Sequence, residues 1–354
     1  MKKNYLILLL SFLIPFNSWS QNDDSEEDFE DFDISAYEEA GGPIKIFCNN
    51  KVAGQSPTQL ISIAYDIQTA NELTAGPVAG TEEDTAPFQS ITGLRLISNF
   101  PVLSRNNILI NFGLNYMQSD FNYSNDELYN NPLLRNLREH TLRSISSNFT
   151  IFKPLNEKKF LLAQLGAELN GDYSFSNFQS LQHTRFPVAI MYGWKNNDRT
   201  MFGIGASRTY LGGSLNYLPV IYYFKTFTEK WGFEALAPAR AFLRYRFNSL
   251  SLMTLGYQVE GATYRLNNFP EYVSNENIAD NIELRRAELR FRLSYDRSIK
   301  DFIWFSVQAG YRVNWIFNVD QGEFFRGFDD TGFYMENELT NPLYFQFSVS
   351  LVSP

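Results

Sequence analysis

The sequence predicts an all-β protein, a single antiparallel transmembrane β-barrel of about fourteen strands. Three observations carry that prediction. From Gln59 onward the chain breaks into segments of roughly nine to fifteen residues whose polarity alternates with period two, whereas strands of soluble sandwiches average about five or six. Aromatic residues make up 16% of the chain, with 32 Phe and 20 Tyr, although the mean hydropathy is only −0.27. Finally, the connections alternate between compact and long, as periplasmic turns and extracellular loops do in outer-membrane barrels.

The alternation is clearest in three segments. Leu161, Ala163, Leu165, Ala167 and Leu169 share one face, opposite Gln164, Gly166, Glu168 and Asn170. Ala287, Leu289, Phe291, Leu293 and Tyr295 alternate with Arg286, Glu288, Arg290, Arg292, Ser294 and Asp296. The final segment sets Leu343, Phe345, Phe347, Val349 and Leu351 against Tyr344, Gln346, Ser348 and Ser350. Strands are expected near 59–68, 90–98, 107–117, 139–151, 159–171, 185–195, 200–210, 214–225, 231–237, 239–247, 249–264, 283–296, 302–316 and 343–352. Parity hinges on a turn at Leu236 to Ala239 around Pro238. Without that turn the count changes, and twelve or sixteen strands remain as alternatives. Beside the compact turns lie Phe152, Phe160, Trp194, Phe224, Phe227, Trp231, Phe302 and Trp304, where an interfacial girdle is expected. Tyr116, Tyr173, Tyr210, Tyr264 and Trp315 lie near the opposite ends.

Ahead of the barrel, residues 1–20 read as a signal peptide, with Lys2 and Lys3 before an apolar run from Tyr5 to Phe16 and cleavage expected near Ser20-Gln21. That run is too short to span a bilayer, and no later stretch approaches the roughly eighteen apolar residues of a membrane helix. Residues 21–55 read as an acidic, mostly disordered periplasmic segment, since Asp23 to Glu39 holds ten acidic and no basic residues. This stretch accounts for the net charge of −9. Its interleaved Phe29, Phe32 and Tyr37 would let it dock on a periplasmic or outer-membrane protein partner. Residues 56–354 are assigned to the barrel. A lone cysteine, Cys48, allows no intramolecular disulfide and is read as an inert residue of the first extended segment.

With the signal peptide, the strand order and the run WGFEALAPARAFLRYRFNSLSLMTLGYQVEGATYRL in view, the chain resembles an uncharacterised family of outer-membrane β-barrel proteins of Gram-negative bacteria. The resemblance covers roughly Ser56 to the C-terminus and is most specific from Trp231 to Tyr264. It implies the barrel and no chemistry. Many such barrels end on a Phe that the assembly machinery reads; here Leu351-Val352-Ser353-Pro354 follows, which shifts the aromatic signal to Phe345 and Phe347.

The candidate site is the lumen wall. Charges cannot face lipid cheaply, so alternation turns Arg240, Arg244, Arg246, Arg286, Arg290 and Arg292 inward around Gln258 and Glu260, with Arg95, Arg208 and Arg312 as further candidates. Two uses follow. Such a wall attracts anions along a pathway, or it is a structural lattice in which Glu168, Glu260, Glu288 and Asp296 pair the arginines and fill a closed lumen. Elsewhere the chemistry is thin. His140 beside Glu139 and His183 beside Thr184 sit at loop ends without a nucleophile signature. Asp120, Asn122, Ser124 and Asp126 match a calcium loop only in part, because Asn125 and Asn131 replace its Gly and Glu, and they read as polar loop residues. Asp320, Glu323, Asp329 and Asp330 read the same way. No catalytic residue, metal or cofactor is expected, and no nucleic-acid binding, since the basic residues form no exposed patch. The expected partners are outer-membrane lipid and, during biogenesis, the barrel-assembly machinery. A pore for small polar or anionic solutes is the first function class, a scaffold or accessory barrel the second, and a rim-located enzyme the third.

Overall fold

In the computed structural model, residues 47–352 are described except 79, 177–180, 212, 274–280, 301 and 322–331. The signal peptide, the acidic run and three members of the last acidic cluster, Glu323, Asp329 and Asp330, therefore lie outside the described residues. Fourteen strands close into one barrel: β1 (Gln59–Gln68), β2 (Asp84–Arg105), β3 (Ile108–Tyr123), β4 (Leu142–Pro154), β5 (Lys159–Gly171), β6 (Val188–Asn197), β7 (Thr200–Thr209), β8 (Asn216–Thr226), β9 (Trp231–Ala237), β10 (Arg240–Asn248), β11 (Ser251–Arg265), β12 (Glu283–Lys300), β13 (Ile303–Asp320) and β14 (Leu343–Val352). Each pairs antiparallel with the next, and β1 pairs with both β14 and β2, which closes the ring. The turn expected at Pro238 is present: Leu236 pairs with Arg240 across it.

Alternation sets which face each side chain takes. On β12, Phe291 is 49% exposed on the outside, whereas Arg290 and Glu288 on the opposite face are 4% and 1% exposed inside. All fourteen strands carry at least one large apolar side chain exposed on the outer face, from Ile63 on β1 to Val349 on β14. A belt of this kind needs lipid, not water, as its solvent, and ring closure gives every strand a neighbour on both sides, with the β9–β10 hairpin the lowest stretch of the wall.

The compact connections gather at one end, the turn end, and most long ones at the other, the loop end. The loop end is capped. Helix α1 (Pro132–Glu139) starts on Asn131, whose Oδ1 accepts from Leu133 N at 3.0 Å, with Pro132 in the first turn where its missing N–H costs nothing. Its buried Leu133, Leu134 and Leu137 join Phe88, Tyr264 and Phe317 of the wall in one apolar cluster. Two short paired strands, Asn71–Ala75 and Asn337–Leu339, extend the sheet beside β2. β5 and β11, far apart around the ring, meet at a parallel bridge between Gly171 and Arg265. The wall is thus drawn together above β6 to β10.

At the turn end the structure corrects two expectations. Residues 47–55, assigned to the acidic segment, are bound inside the barrel: Cys48 N donates to Asn156 O at 3.1 Å, Ala53 N to Asp198 O at 2.7 Å, and Thr226 Oγ1 to Ala53 O at 2.6 Å. Phe152, Phe160 and Phe224, expected in the girdle, instead pack inward with Met201 against Cys48 and Val52. Trp304 also turns inward, onto Leu252 and Val352, while Phe227, Trp231 and Phe302 are exposed as a girdle requires. The inward apolar side chains of this mouth are buried, which a water-filled opening would not allow.

Candidate lumenal site

The lumen holds a lattice of ion pairs built on five strands. Arg95 of β2 pairs with Asp66 of β1 and, through Nη2 at 2.8 Å, with Glu260 Oε2 of β11. Arg290 of β12 reaches Glu260 Oε2 at 2.6 Å and Glu288 Oε1 at 2.6 Å. Glu288 also receives Arg286 at 2.8 Å and Arg312 of β13 at 3.2 Å. Arg312 lies 3.7 Å from Asp66, and the guanidinium groups of Arg312 and Arg290 lie 4.8 and 5.5 Å from the Tyr344 ring centroid. Four arginines thus share three carboxylates, and every side chain in the set is mostly buried.

Because β2 and β11 are not neighbours, the Arg95–Glu260 pair is a tie across the lumen. Behind it the inward positions of β1 and β12–β14 carry small hydroxyls, including Ser62 and Ser350, bonded at 2.8 Å, and Ser294 and Ser306 at 3.3 Å. That sector is filled. Space remains on the other side, as a cavity of 510 Å³ between the lattice and the hydroxyl and amide side chains of Ser144, Ser146, Asn115 and Gln164. A second cavity of 310 Å³ shares Asn115, Ser146, Gln164, Glu168 and Leu211 with the first and continues toward β6–β9.

Of the residues singled out from the sequence, Arg286, Arg290, Glu260 and Glu288 are brought together in the lattice, and Arg95 and Arg312 join them. The remaining ones stand apart. Arg292 donates to Gln308 at 2.9 Å and lies 4.3 Å from the Phe242 ring centroid. Arg244 contacts Glu234 at 3.5 Å and donates to Thr226 at 3.0 Å. Arg246 donates to the carbonyls of Gly54 and Gln55, each at 3.1 Å, and so holds the N-terminal segment. Arg240 is exposed beside the Pro238 turn. Glu168 lines both cavities and bridges Arg185 through its backbone, and Asp296 accepts from Ser294 Oγ at 3.0 Å, so neither of these acids pairs an arginine of the lattice. Arg208 falls opposite outward Val188 and so lies on the outer face at the rim, bonded to Phe186 O at 3.2 Å.

Asp66 is the lattice member that sequence reasoning missed. Its signal was present, since Asp66 shares the face of Ala64 and Gln68 on a strand whose other face is Ile63, Tyr65 and Ile67. His140 contacts Tyr272 Oη at 3.0 Å, and Tyr272 donates to Glu139 at 2.8 Å, while His183 sits on a short turn where burial, with Arg265 and Arg185 nearby, holds its pKa below the usual value. Asp120 and Asn122 belong to β3 rather than to a loop, and Asp120 accepts from Thr141 and Gln118. Among the described residues no group of three or more His, Cys, Asp or Glu side chains could hold a metal ion.

No curated protein matches the chain. Among solved structures, an outer-membrane channel from Pseudomonas putida F1 is similar with a TM-score of 0.37 and 9% identity, covering 85% of this chain and 98% of its own. A Pseudomonas aeruginosa FadL homologue gives 0.35 and 9%, covering 87% and 95%, and the NanC porin gives 0.32 and 10%, covering 82% and 100%. Likeness this low says nothing of substrate or role. One family profile matches residues 93–349, and the chain belongs to that family, described as a domain of unknown function (DUF6268).

Proposed function

We propose that the chain is exported by its signal peptide into the outer membrane of a Gram-negative cell and acts there as a channel for small polar solutes, held closed in this conformation. The polar cavity of 510 Å³ carries the reading. A barrel kept only as a scaffold could fill that space with side chains as it does behind the Arg95–Glu260 tie, and a cavity with several convergent polar groups is the usual form of a solute site. Neutral polar solutes suit it better than anions, because the carboxylates of the lattice already take most of the arginines' charge. The closure at the turn end is the segment 47–58, held by side chains that bond its backbone: Arg246 to two carbonyls and Lys195 Nζ to Lys51 O at 2.9 Å.

Planar-bilayer recording tests this. The full chain should be nearly silent, and Lys195→Ala with Arg246→Ala, combined with Leu134→Asp in the cap of the loop end, should open both ends and raise conductance. Silence of both would favour the second reading, a non-transporting barrel that serves as scaffold or accessory subunit, for which the filling of both mouths speaks.

A further inference from the structure

One stretch of wall is much lower than the rest. The ladder between β8 and β9 stops at Ile221 and Ala237, yet β8 goes on pairing with β7 as far as Asn216 and Thr209. On the other flank the ladder between β10 and β11 stops at Arg240 and Gln258, while β11 continues along β12 to Arg265 and Glu283. A notch five residues deep on the β8 side, about 17 Å of strand, therefore opens above the Pro238–Ala239 turn. The β7–β8 loop spans its top: Thr263 Oγ1 donates to Gly213 O at 3.0 Å, and a Cβ at Gly261 would lie 1.9 Å from the Leu211 carbonyl oxygen. Glycine at 261 admits this close approach.

Between that loop and the turn lies the 310 Å³ cavity, near the lower end of the ~300–1,000 Å³ usual for small-ligand sites. Its lining crosses the wall. Inward Leu218, Val220 and Leu236 meet Val188 and Arg208 of the outer face. Deeper in, Asn115, Ser146 and Gln164 are shared with the polar cavity. With the loop end capped and the turn end occupied, the 310 Å³ cavity approaches the lipid-facing surface on this side of the barrel.

We propose that this chain takes its solute sideways, from the lipid interface through the window between Leu211 and Pro238, and that the window binds an uncharged amphiphile. Its apolar chain lies against Leu218, Val220 and Leu236, and its hydroxyl- or amide-bearing head meets Asn115, Ser146 and Gln164. An anionic head is disfavoured because Arg95, Arg286 and Arg290, the arginines that line the deeper cavity, already pair with Glu260 and Glu288. The inference rests on the channel reading above and narrows its substrate class.

The test uses the full chain in lipid nanodiscs and an octyl glucoside with a diazirine at the end of its chain. Photolabel should map to the segments of Val220 and Leu236, and Val220→Trp and Leu236→Trp should each lower it at least about fivefold. Unlabelled octyl glucoside should compete, and glucose and octanoate should not. Label spread over outward residues such as Ile190 and Ile221, unchanged in both variants, overturns the window. Competition by glucose overturns the amphiphile, and competition by octanoate overturns the uncharged head. Insertion of each variant is checked by heat-modifiable migration; if neither inserts, the wild-type labelling map and competition decide. Bilayer recording separates the two proposals. Conductance of the Lys195→Ala, Arg246→Ala, Leu134→Asp form, opened at both ends, without localised label leaves the channel and removes the window, whereas localised label with every form silent leaves a binding pocket and removes the channel.

Discussion

Two sectors of one wall, facing the same lumen, are built on opposite principles. The sector of β1, β2 and β11–β14 turns charge inward and buries it: Arg312 is 1% exposed and Glu288 1%. The sector of β5–β9 turns Ala189, Met191, Ser207, Leu218, Val220 and Leu236 inward and leaves them around open space. Paired charges in a low-dielectric interior pay back their desolvation only when geometry is good, but they fix register, because a slip of one residue would send Arg286, Arg290 and Arg292 into lipid. In this barrel the ion-pair lattice fills and holds one sector, and in the other, where Glu168 reaches both cavities, mainly uncharged side chains leave room.

The largest expected effect breaks the charged sector at its hub. Glu288→Gln leaves Arg286, Arg290 and Arg312 short of a counter-charge and should cost about 3–5 kcal/mol. Ser207→Ala in the uncharged sector should stay within about 0.5 kcal/mol. Denaturant unfolding of the detergent-solubilised barrel reads both, and equal losses would end the distinction between the sectors.

A smaller effect comes from placing a new charge on either side of β7. Ile204 is 49% exposed on the outer face at mid-strand, and Ile204→Arg should cost roughly 2–4 kcal/mol on folding into bilayers. Ser207 lines the 310 Å³ cavity, and Ser207→Arg should be tolerated because its head can reach water there. A penalty for Ser207→Arg as large as that for Ile204→Arg would mean that this sector is dry.

These contrasts also mark what the sequence could tell. Strand number and facing were legible because period two is a local signal, and even the Pro238 turn could be placed from residues that cannot continue a ladder. Phe152, Phe160 and Phe224 were misplaced because they were judged by nearness to turns; parity puts Phe152 on the face of Ser144 and Ser146, which points inward. Helix α1 carried a readable start in Asn131-Pro132, hidden within a segment whose only other cue was loop composition. Which arginine meets which carboxylate was not legible. Asp66 and Glu260 are brought to Arg95 by closure of the whole ring, and nothing in their sequence neighbourhoods encodes that.

The smallest and most discriminating difference lies between two arginines on one face of β12. Arg290 bonds Glu260 at 2.6 Å, whereas Arg292, two residues on, contacts Gln308 and Phe242. Alternation gives both the same orientation, so any difference in their energetics comes from the lattice and not from facing. Groups in one network couple by about 0.5–3 kcal/mol, and independent ones add within about 0.3–0.5 kcal/mol. A double-mutant cycle of Arg290→Gln with Glu260→Gln should therefore show coupling in the first range. The cycle of Arg292→Gln with Glu260→Gln should show weaker coupling, because Glu260 acts on Arg292 through space without contacting it, and Arg292→Gln alone should cost about 1 kcal/mol for its lost hydrogen bond and ring contact. In Arg290→Gln each carboxylate keeps a partner, Arg95 for Glu260 and Arg286 with Arg312 for Glu288, so the single loss should stay below that of Glu288→Gln. Strong coupling of Glu260 to Arg292 would extend the lattice along the whole strand, and additivity of both cycles would reduce it to independent pairs.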